Sequence, residues 1–217
     1  MQSPMNAPAD SCIFLLSPAS VHGKRAQLLC REAAAFPLAQ RVREGGAPLA
    51  DVFSFVSGLY FRGKVAYARA FGRAPAGVPG ACVITSSRGL VDLDATVTRN
   101  DLAEFAAVPI SSESRRFCEA LEASARGLRS RMDGRTRVVL LGSVATGKYI
   151  DTLVQAFGER LHYPVEFVGR GDMSRGSLML RCAESGTELT YVPVDERSRH
   201  GPRPPRLEPR RWPKPAW

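Results

Sequence analysis

One loop in the second half of the chain carries the residues that point most directly to chemistry. The segment VVLLGSVATGKYI (138–150) runs from an apolar stretch, through a loop bounded by glycines, to a lysine and a helical pattern. Backbone N–H groups at the start of a helix favour a bound anion, and a lysine side chain reinforces them. The candidate ligand-binding residues of this loop are Gly142, Ser143, Thr146, Gly147 and Lys148.

The same loop resembles a nucleotide-binding P-loop in spacing but not in chemistry. Gly142, Gly147 and Lys148 fit the pattern G-x-x-x-x-G-K, but the next residue is Tyr149. A P-loop needs Ser or Thr at that position because the hydroxyl ligates magnesium. Only 69 residues follow Lys148, which leaves little room for the later strands of a P-loop enzyme. We therefore predict an anion site with no metal ligands and no magnesium-dependent ATP hydrolysis.

A second loop with similar potential is VGRGDMSRG (168–176), which follows another apolar run. Arg170 and Arg175 can hold a phosphate or carboxylate through paired hydrogen bonds, and Ser174 adds a hydroxyl. Asp172 can act as a general base. In the alternative interpretation, Asp172 caps the following element and pairs with an arginine.

Two further residues complete the set of candidates. Arg88 lies in the segment SSRGL (86–90), directly after an apolar run, and is a candidate ligand-binding residue. Ser143 is a candidate catalytic residue together with Asp172, because its hydroxyl would lie near the reacting atom of a bound ligand.

Strand-like and helix-like stretches alternate along the chain. The strand-like runs are CIFLLS (12–17), ACVITS (81–86), RVVLLG (137–142) and PVEFVG (164–169). The helix-like segments are GKRAQLLCREAAA (23–35), PLADVFSFVSGLYF (48–61), GKVAYARAF (63–71) and SESRRFCEALEASARGLRSRM (112–132). This alternation predicts an α/β fold with a mostly parallel sheet and helices on both faces. The segments SLMLRC (177–182) and TELTYVPV (187–194) predict a hairpin at the C-terminal end of the body.

Two units share one pattern of strand, small-residue loop, Gly-Lys and helix: FLLSPASVHGKRAQLL (14–29) and VLLGSVATGKYIDTL (139–153). A third Gly-Lys pair, Gly63-Lys64, also predicts the start of a helix. Parallel strands bring their carboxyl ends to one edge of a sheet, where ligands of open α/β folds bind. We therefore expect the loop from Gly142 to Lys148 and the loop from Gly169 to Gly176 to converge at that edge and to hold one phosphate jointly.

The charge of the chain is concentrated at its C-terminal end. The net charge is +9, and residues 197–217 hold seven Lys or Arg against one acid, together with six of the sixteen prolines. This composition predicts a disordered basic tail (197–217) attached to a single α/β domain (1–196). As an arm on nucleic acid, the tail would contact phosphates through basic residues at Arg203, Arg206, Arg210, Arg211 and Lys214. The alternative is a solvated tail or one that lies on its own domain.

Cysteine spacing and hydropathy indicate the cellular location of the protein. The five cysteines are scattered and never spaced C-x-x-C, which argues against a disulfide framework or a structural zinc site. No apolar stretch approaches the eighteen or so residues that span a bilayer, so we expect a cytoplasmic protein without a membrane partner.

A broader resemblance covers residues 12–180. The segments GLYFRGKVAYARAFG, ACVITSSRGLVDLDATVT and GKYIDTL resemble a bacterial and phage α/β domain family of unknown function that is distantly similar to the YaaA-type peroxide-stress proteins. The matching positions are Leu59, Tyr60, Phe61, Ile84, Thr85, Ser86, Arg88, Gly89, Leu90, Asp92, Asp94, Tyr149 and Leu153. Where that family has a Cys-Ser-containing start, this chain reads SPAS (17–20). The resemblance implies an α/β fold and a nucleotide or nucleic-acid setting, and it implies no particular reaction.

Two functional hypotheses follow from the sequence. In the first, the chain binds a phosphate-bearing ligand at the carboxyl edge of its sheet and processes a nucleotide or nucleic acid. In the second, it is a nonenzymatic nucleic-acid-binding or regulatory protein whose body positions the basic arm. The residues leave open whether the protein is an enzyme and which cofactor, if any, it uses.

Overall fold

The computed structural model describes residues 11–144, 147–195, 202, 204–213 and 215–217. Its strands are β1 (Cys12–Leu16), β2 (Ala47–Pro48), β3 (Ala81–Thr85), β4 (Gly89–Asp92), β5 (Thr96–Val97), β6 (Arg137–Leu141), β7 (Leu161–Pro164) and β8 (Tyr191–Pro193). Its α-helices are α1 (Lys24–Cys30), α2 (Pro37–Glu44), α3 (Leu49–Ser57), α4 (Leu59–Phe71), α5 (Arg99–Ala106), α6 (Arg115–Ser130), α7 (Ile150–Phe157) and α8 (Asp172–Ser185). The chain therefore has the predicted α/β character.

Six strands form a mixed sheet in the order β4-β3-β1-β6-β7-β8. The four central strands are parallel, with Phe14 of β1 opposite Ala81 of β3 on one side and Val139 of β6 on the other. Each edge strand, β4 and β8, pairs antiparallel with its neighbour. The mostly parallel sheet expected from the sequence is confirmed, with β1 at its centre. A separate two-stranded ladder joins β2 and β5.

Alternating residues of β1 face two different hydrophobic clusters. Phe14 packs with the buried residues of α3, α4 and α8, whereas Ile13 and Leu15 pack with those of α6 and α7. Because successive side chains of a strand point to opposite faces, these clusters lie on the two sides of the sheet. Helices therefore cover both faces, as predicted.

The long helix α6 is amphipathic. Phe117, Leu121 and Leu128 are buried beneath it. Ser124, on the same face, accepts a hydrogen bond from the backbone N–H of Leu90 at 2.8 Å. The small side chain leaves space for β4 to approach, since a methyl group on Gly89 would lie 2.1 Å from the Ser124 hydroxyl.

The predicted C-terminal hairpin is wrong. Residues 177–182 belong to α8, which buries Gly176, Met179 and Cys182 at helical spacing. Gly186, which lies between the two segments of the expected hairpin, is the left-handed C-cap of this helix, with φ at 66°. Only the second half of the hairpin is a strand, and β8 pairs with β7 rather than with residues 177–182.

Two other element predictions need correction. The strand expected at 164–169 is shifted, because β7 ends at Pro164 and a 3-10 turn follows over Val165–Phe167. Gly63 and Lys64 do not open a helix but lie inside α4, which begins after Gly58 (φ 68°).

The described part of the C-terminal tail has no helix or strand, and it contacts the body. The Arg170 guanidinium donates to the Pro205 carbonyl at 3.2 Å, and Arg210 pairs with Glu184 at 2.7 Å. The Trp217 ring meets Phe55 edge-on at 5.5 Å. These residues therefore lie on the domain, which corresponds to the alternative interpretation of the tail.

No helix in the described ranges is both long and apolar enough to cross a bilayer.

Candidate functional site

A cavity of about 370 Å³ opens at the carboxyl edge of the sheet. It lies beyond the ends of β1, β3 and β6, whose following residues contribute most of its wall. The described lining residues are Ser17, Pro18, Ala19, Ser20, Val21, His22, Phe53, Thr85, Ser86, Phe105, Val108, Ile110, Lys148 and Tyr149. The cavity therefore lies at the edge of the sheet where the sequence analysis expected a ligand.

The position of the cavity follows from the chain path. The chain leaves β1 toward α1 to α4 and returns as β3 on one side of β1, whereas it leaves β6 toward α7 and returns as β7 on the other. Helices α4 and α7 belong to clusters on opposite faces of the sheet. The ends of β1 and β6 therefore form a topological switch point, where a crevice opens between diverging connections.

Gly142 allows the ends of β1 and β6 to meet closely. A methyl group at this position would lie 2.7 Å from Cβ and 3.1 Å from Oγ of Ser17, and 3.1 Å from the Tyr149 hydroxyl. A side chain there would displace Ser17. Gly142 therefore contributes to the site through the absence of a side chain.

A buried lysine reaches the same point from α4. Lys64 is 1% exposed, and its Nζ donates to the Ser17 carbonyl at 2.9 Å and lies 2.6 Å from Ser17 Oγ. The ammonium position is also 4.0 Å from the centre of the Tyr60 ring. Burial lowers the pKa of Lys64 to about 7. The nearby negative charge of Asp172 opposes this shift, and the positive charge of Arg175 reinforces it.

Two tyrosines flank the Ser17 and Lys64 pair. Tyr149 is buried and donates to the Ser143 carbonyl at 3.2 Å, and burial raises the pKa of its phenol. Burial likewise raises the pKa of Tyr60, which the charge of Arg175 partly offsets. Among the described residues, the Tyr60 hydroxyl has no hydrogen-bond partner. Both phenols therefore keep their protons at neutral pH and remain hydrogen-bond donors.

The first candidate loop is brought to the cavity in part. Lys148 lines it, Gly142 shapes its floor and Ser143 holds Tyr149 through its carbonyl. Gly147 is exposed, and Thr146 lies outside the described residues. Ser143, which the sequence analysis proposed for catalysis, is not among the described lining residues, whereas Ser17 is.

The second candidate loop follows β7 and lies at the same edge of the sheet, but its candidate residues make contacts in different places. Arg170 donates to Ser174 at 3.3 Å, and both residues line a groove formed with tail residues 204–210. Arg175 donates to the Phe167 carbonyl from two nitrogens, at 3.0 and 3.1 Å. Asp172 lies 3.8 Å from Arg175 and is the first residue of α8. None of these four residues lines the cavity.

Arg88 is directed away from the cavity. Its guanidinium binds the carboxylates of Asp101 and Glu104 on α5, and these contacts raise its pKa. Two carboxylates already satisfy this arginine, so the structure does not place it against the ligand expected at the carboxyl edge.

The residues proposed as a nucleic-acid arm divide into three groups. Arg203 and Lys214 lie outside the described residues. Arg210 is occupied by Glu184 and lies over the Trp212 ring at 4.3 Å. Arg206 and Arg211 are exposed.

Sequence reasoning missed Ser17 and Lys64 as site residues. A signal existed for the lysine, because it falls on the buried stripe of α4 together with Tyr60, Tyr67 and Phe71. A charged residue on an otherwise apolar helix face is costly unless it is paired. For Ser17, the sequence offers only its place directly after a buried strand.

No group of three or more His, Cys, Asp or Glu side chains positioned to hold a metal ion is found in the described ranges. In the comparisons with known proteins, no family model, no curated protein and no solved structure matches this chain.

Proposed function

We propose that the cavity binds a small ligand that carries a phosphate group, and that a nucleotide is the class of ligand it suits best. The observation that carries the proposal is the position of the cavity at the switch point between β1 and β6, with Lys148 on its wall. Crevices at such points are the usual ligand sites of open α/β sheets.

The charges around the cavity favour an anion. The described lining includes Lys148 and His22 and no carboxylate. Serine and threonine hydroxyls supply further polar contacts at the strand ends. Lys148 is exposed and can move toward a phosphate as a point charge.

The remaining wall favours a flat apolar group next to the anion. Phe53, Phe105, Val108 and Ile110 contribute apolar surface. The volume of about 370 Å³ lies within the range of small-molecule sites. A ligand with a ring at one end and a phosphate at the other would use both parts of the wall.

The test is to measure binding of adenosine monophosphate, inorganic phosphate and adenosine by calorimetry. We expect adenosine monophosphate to bind most tightly. Lys148→Ala should weaken its binding by about 1.5 to 3 kcal/mol, the range for a hydrogen bond to a charged group. Arg170→Ala is the matched control, because Arg170 lies in the tail groove.

Equal binding of all three compounds by wild type and Lys148→Ala would contradict the proposal. A loss of binding in Arg170→Ala as large as that in Lys148→Ala would instead restore the joint site expected from the sequence.

A further inference from the structure

No carboxylate in the described part of the chain is in direct contact with the Lys64 amine. Its Nζ contacts the Ser17 carbonyl, the Ser17 hydroxyl and the aromatic rings of Tyr60 and Phe61. The acid that acts on it electrostatically, Asp172, has a side chain that is 68% exposed and lies 3.8 Å from Arg175. A buried ammonium without a paired carboxylate is unstable relative to the neutral amine. Lys64 is thus suited to accept a proton at neutral pH.

Among the described residues, Ser17 is the one polar group to which Lys64 donates, and it stands between the amine and the cavity. Its Oγ lies 2.6 Å from Nζ, and the residue forms part of the cavity wall. The Ser17 backbone N–H donates to Leu141 at 3.2 Å, which fixes the residue against the end of β6. A hydroxyl held against a buried amine and open to a ligand has the geometry of an activated nucleophile.

We propose that Ser17 is a nucleophile and Lys64 its general base, so that the cavity is the active site of an acyl-transfer enzyme or hydrolase acting on small esters, thioesters or activated amides. The proposal deepens the proposed function, since it concerns the same cavity, and it rests on that function for the phosphate-bearing part of the substrate. An acyl carbon suits the pair because only one proton has to move between Ser17, Lys64 and the leaving group.

The steps balance with water as the second substrate. The Ser17 hydroxyl proton passes to Lys64 Nζ while Oγ bonds to the carbonyl carbon. The bond from that carbon to the leaving group then breaks, and the leaving group takes the proton from Lys64. Water attacks the acyl-Ser17 ester and gives a proton to Lys64. The bond from the acyl carbon to Ser17 Oγ breaks, Oγ recovers that proton and a carboxylic acid is released.

Tyr149 is the donor available to the carbonyl oxygen of the substrate. It lines the cavity beside Ser17, and its present hydrogen bond to Ser143 is long, at 3.2 Å. Its raised pKa keeps the phenol protonated at neutral pH. A donor aimed at a developing oxyanion stabilises the transition state of acyl transfer.

The experiment uses p-nitrophenyl acetate as the acyl donor and a fluorophosphonate as the trapping reagent, followed by peptide mapping. We expect one adduct, on Ser17. Ser17→Ala and Lys64→Met should each lower the acylation rate by about 100-fold or more, the lower range of general-base catalysis. Arg88→Ala, outside the cavity, should react as wild type does. An adduct on Lys64, or on a serine elsewhere in the folded protein, overturns the assignment.

The pH profile of wild type keeps the proposal testable if Lys64→Met does not fold. The acylation rate should rise with pH, with a midpoint near the pKa of Lys64 of about 7, and then level off. Lys64 contacts Ser17 and the rings of Tyr60 and Phe61. Burial sets this midpoint, and the charge of Asp172 opposes the shift while that of Arg175 reinforces it. His22 also lines the cavity, so the midpoint should persist in His22→Gln whatever the effect on the rate. A rate that keeps rising in proportion to hydroxide overturns the proposal.

The two proposals fail in different ways. Binding of adenosine monophosphate without acylation of Ser17 would remove the nucleophile and leave the ligand site. Acylation of Ser17 without binding of any phosphate compound would remove the phosphate-bearing ligand and leave the nucleophile.

Discussion

Gly63 of α4 lies directly against Gly176 of α8, so that a methyl group on Gly63 would be 2.5 Å from the Gly176 carbonyl oxygen. In return, a methyl group on Gly176 would lie 2.8 Å from the Tyr60 Cα. The two helix backbones therefore touch. Lys64, which follows Gly63, reaches Ser17 from the same helix.

Gly63→Ala should separate these helices and destabilise the protein. The obstructing atoms are the carbonyl oxygen, Cα and carbonyl carbon of Gly176. Backbone atoms cannot rotate away, so the cost should be about 1 to 3 kcal/mol. Chemical denaturation measures it directly. Gly127→Ala in α6 is the matched control, because a methyl group there meets nothing within 4 Å. It should instead stabilise the protein by about 0.8 to 1 kcal/mol, the helix-propensity difference between the two residues. Equal effects of the two substitutions would show that the helices can move apart freely.

Gly142→Ala should disturb the cavity more than the fold. The new methyl group would overlap Cβ of Ser17 at 2.7 Å, so Ser17 has to move away from Lys64. We expect loss of Ser17 acylation and weaker binding of adenosine monophosphate, with destabilisation of about 1 to 3 kcal/mol. In Gly147→Ala the nearest atom is the Asp151 carboxylate at 3.5 Å, an ordinary contact, so its stability should match wild type. Normal acylation by Gly142→Ala would mean that Ser17 does not need its present position.

The stability of the protein should depend on pH through Lys64. Its pKa of about 7 in the folded state lies below the ordinary lysine value, so between these two values the unfolded state binds the extra proton. The free energy of unfolding therefore rises with pH above about 7, by up to about 1.4 kcal/mol per pH unit, and this dependence levels off below that value, where both states carry the proton. The measurement is the difference in unfolding free energy between wild type and Lys64→Met from pH 6 to 8.5, in which the cysteine ionisations common to both proteins cancel. A difference that stays constant over this interval would show that Lys64 remains charged when buried.

The basic tail allows stability and nucleic-acid binding to be tested separately. Trp217→Ala removes the edge-on contact with Phe55 and should cost about 1 kcal/mol of stability. Replacing the exposed Arg206 and Arg211 together by Ala should leave stability unchanged. If the tail is an arm on duplex DNA, the double variant should lower the slope of log K against log salt by about 1.8, or 0.9 for each phosphate contact. An unchanged slope would argue against DNA contacts by these two arginines.

The central strands were predictable from sequence because their apolar runs are continuous and end in small residues. Val139 and Leu140 of β6, for example, are buried on opposite faces of the sheet, and such a run has few alternatives. The C-terminal end was not predictable in this way. A glycine such as Gly186 gives the same signal in a hairpin turn and at the end of a helix, because both can require a left-handed backbone.

The candidate site was predictable as a place but not as a set of partners. Sequence reasoning located the carboxyl edge and Lys148, since parallel strands bring their ends together. The contact between Ser17 and Lys64 joins residues 47 positions apart and depends on how deeply α4 packs. That packing is a tertiary arrangement, which no local pattern encodes.

The central place of β1 in the sheet imposes an order on folding. Its two parallel neighbours begin at Ala81 and Arg137, far along the chain. During synthesis, β1 therefore leaves the ribosome long before either partner, and it cannot complete its ladders until residues 137–141 have emerged. Pairings of such high contact order form slowly, and an unpaired apolar strand is prone to aggregation while it waits. The CIFLL segment, which supports the site in the folded protein, is thus exposed to aggregation in the nascent chain until both of its partner strands have been synthesised.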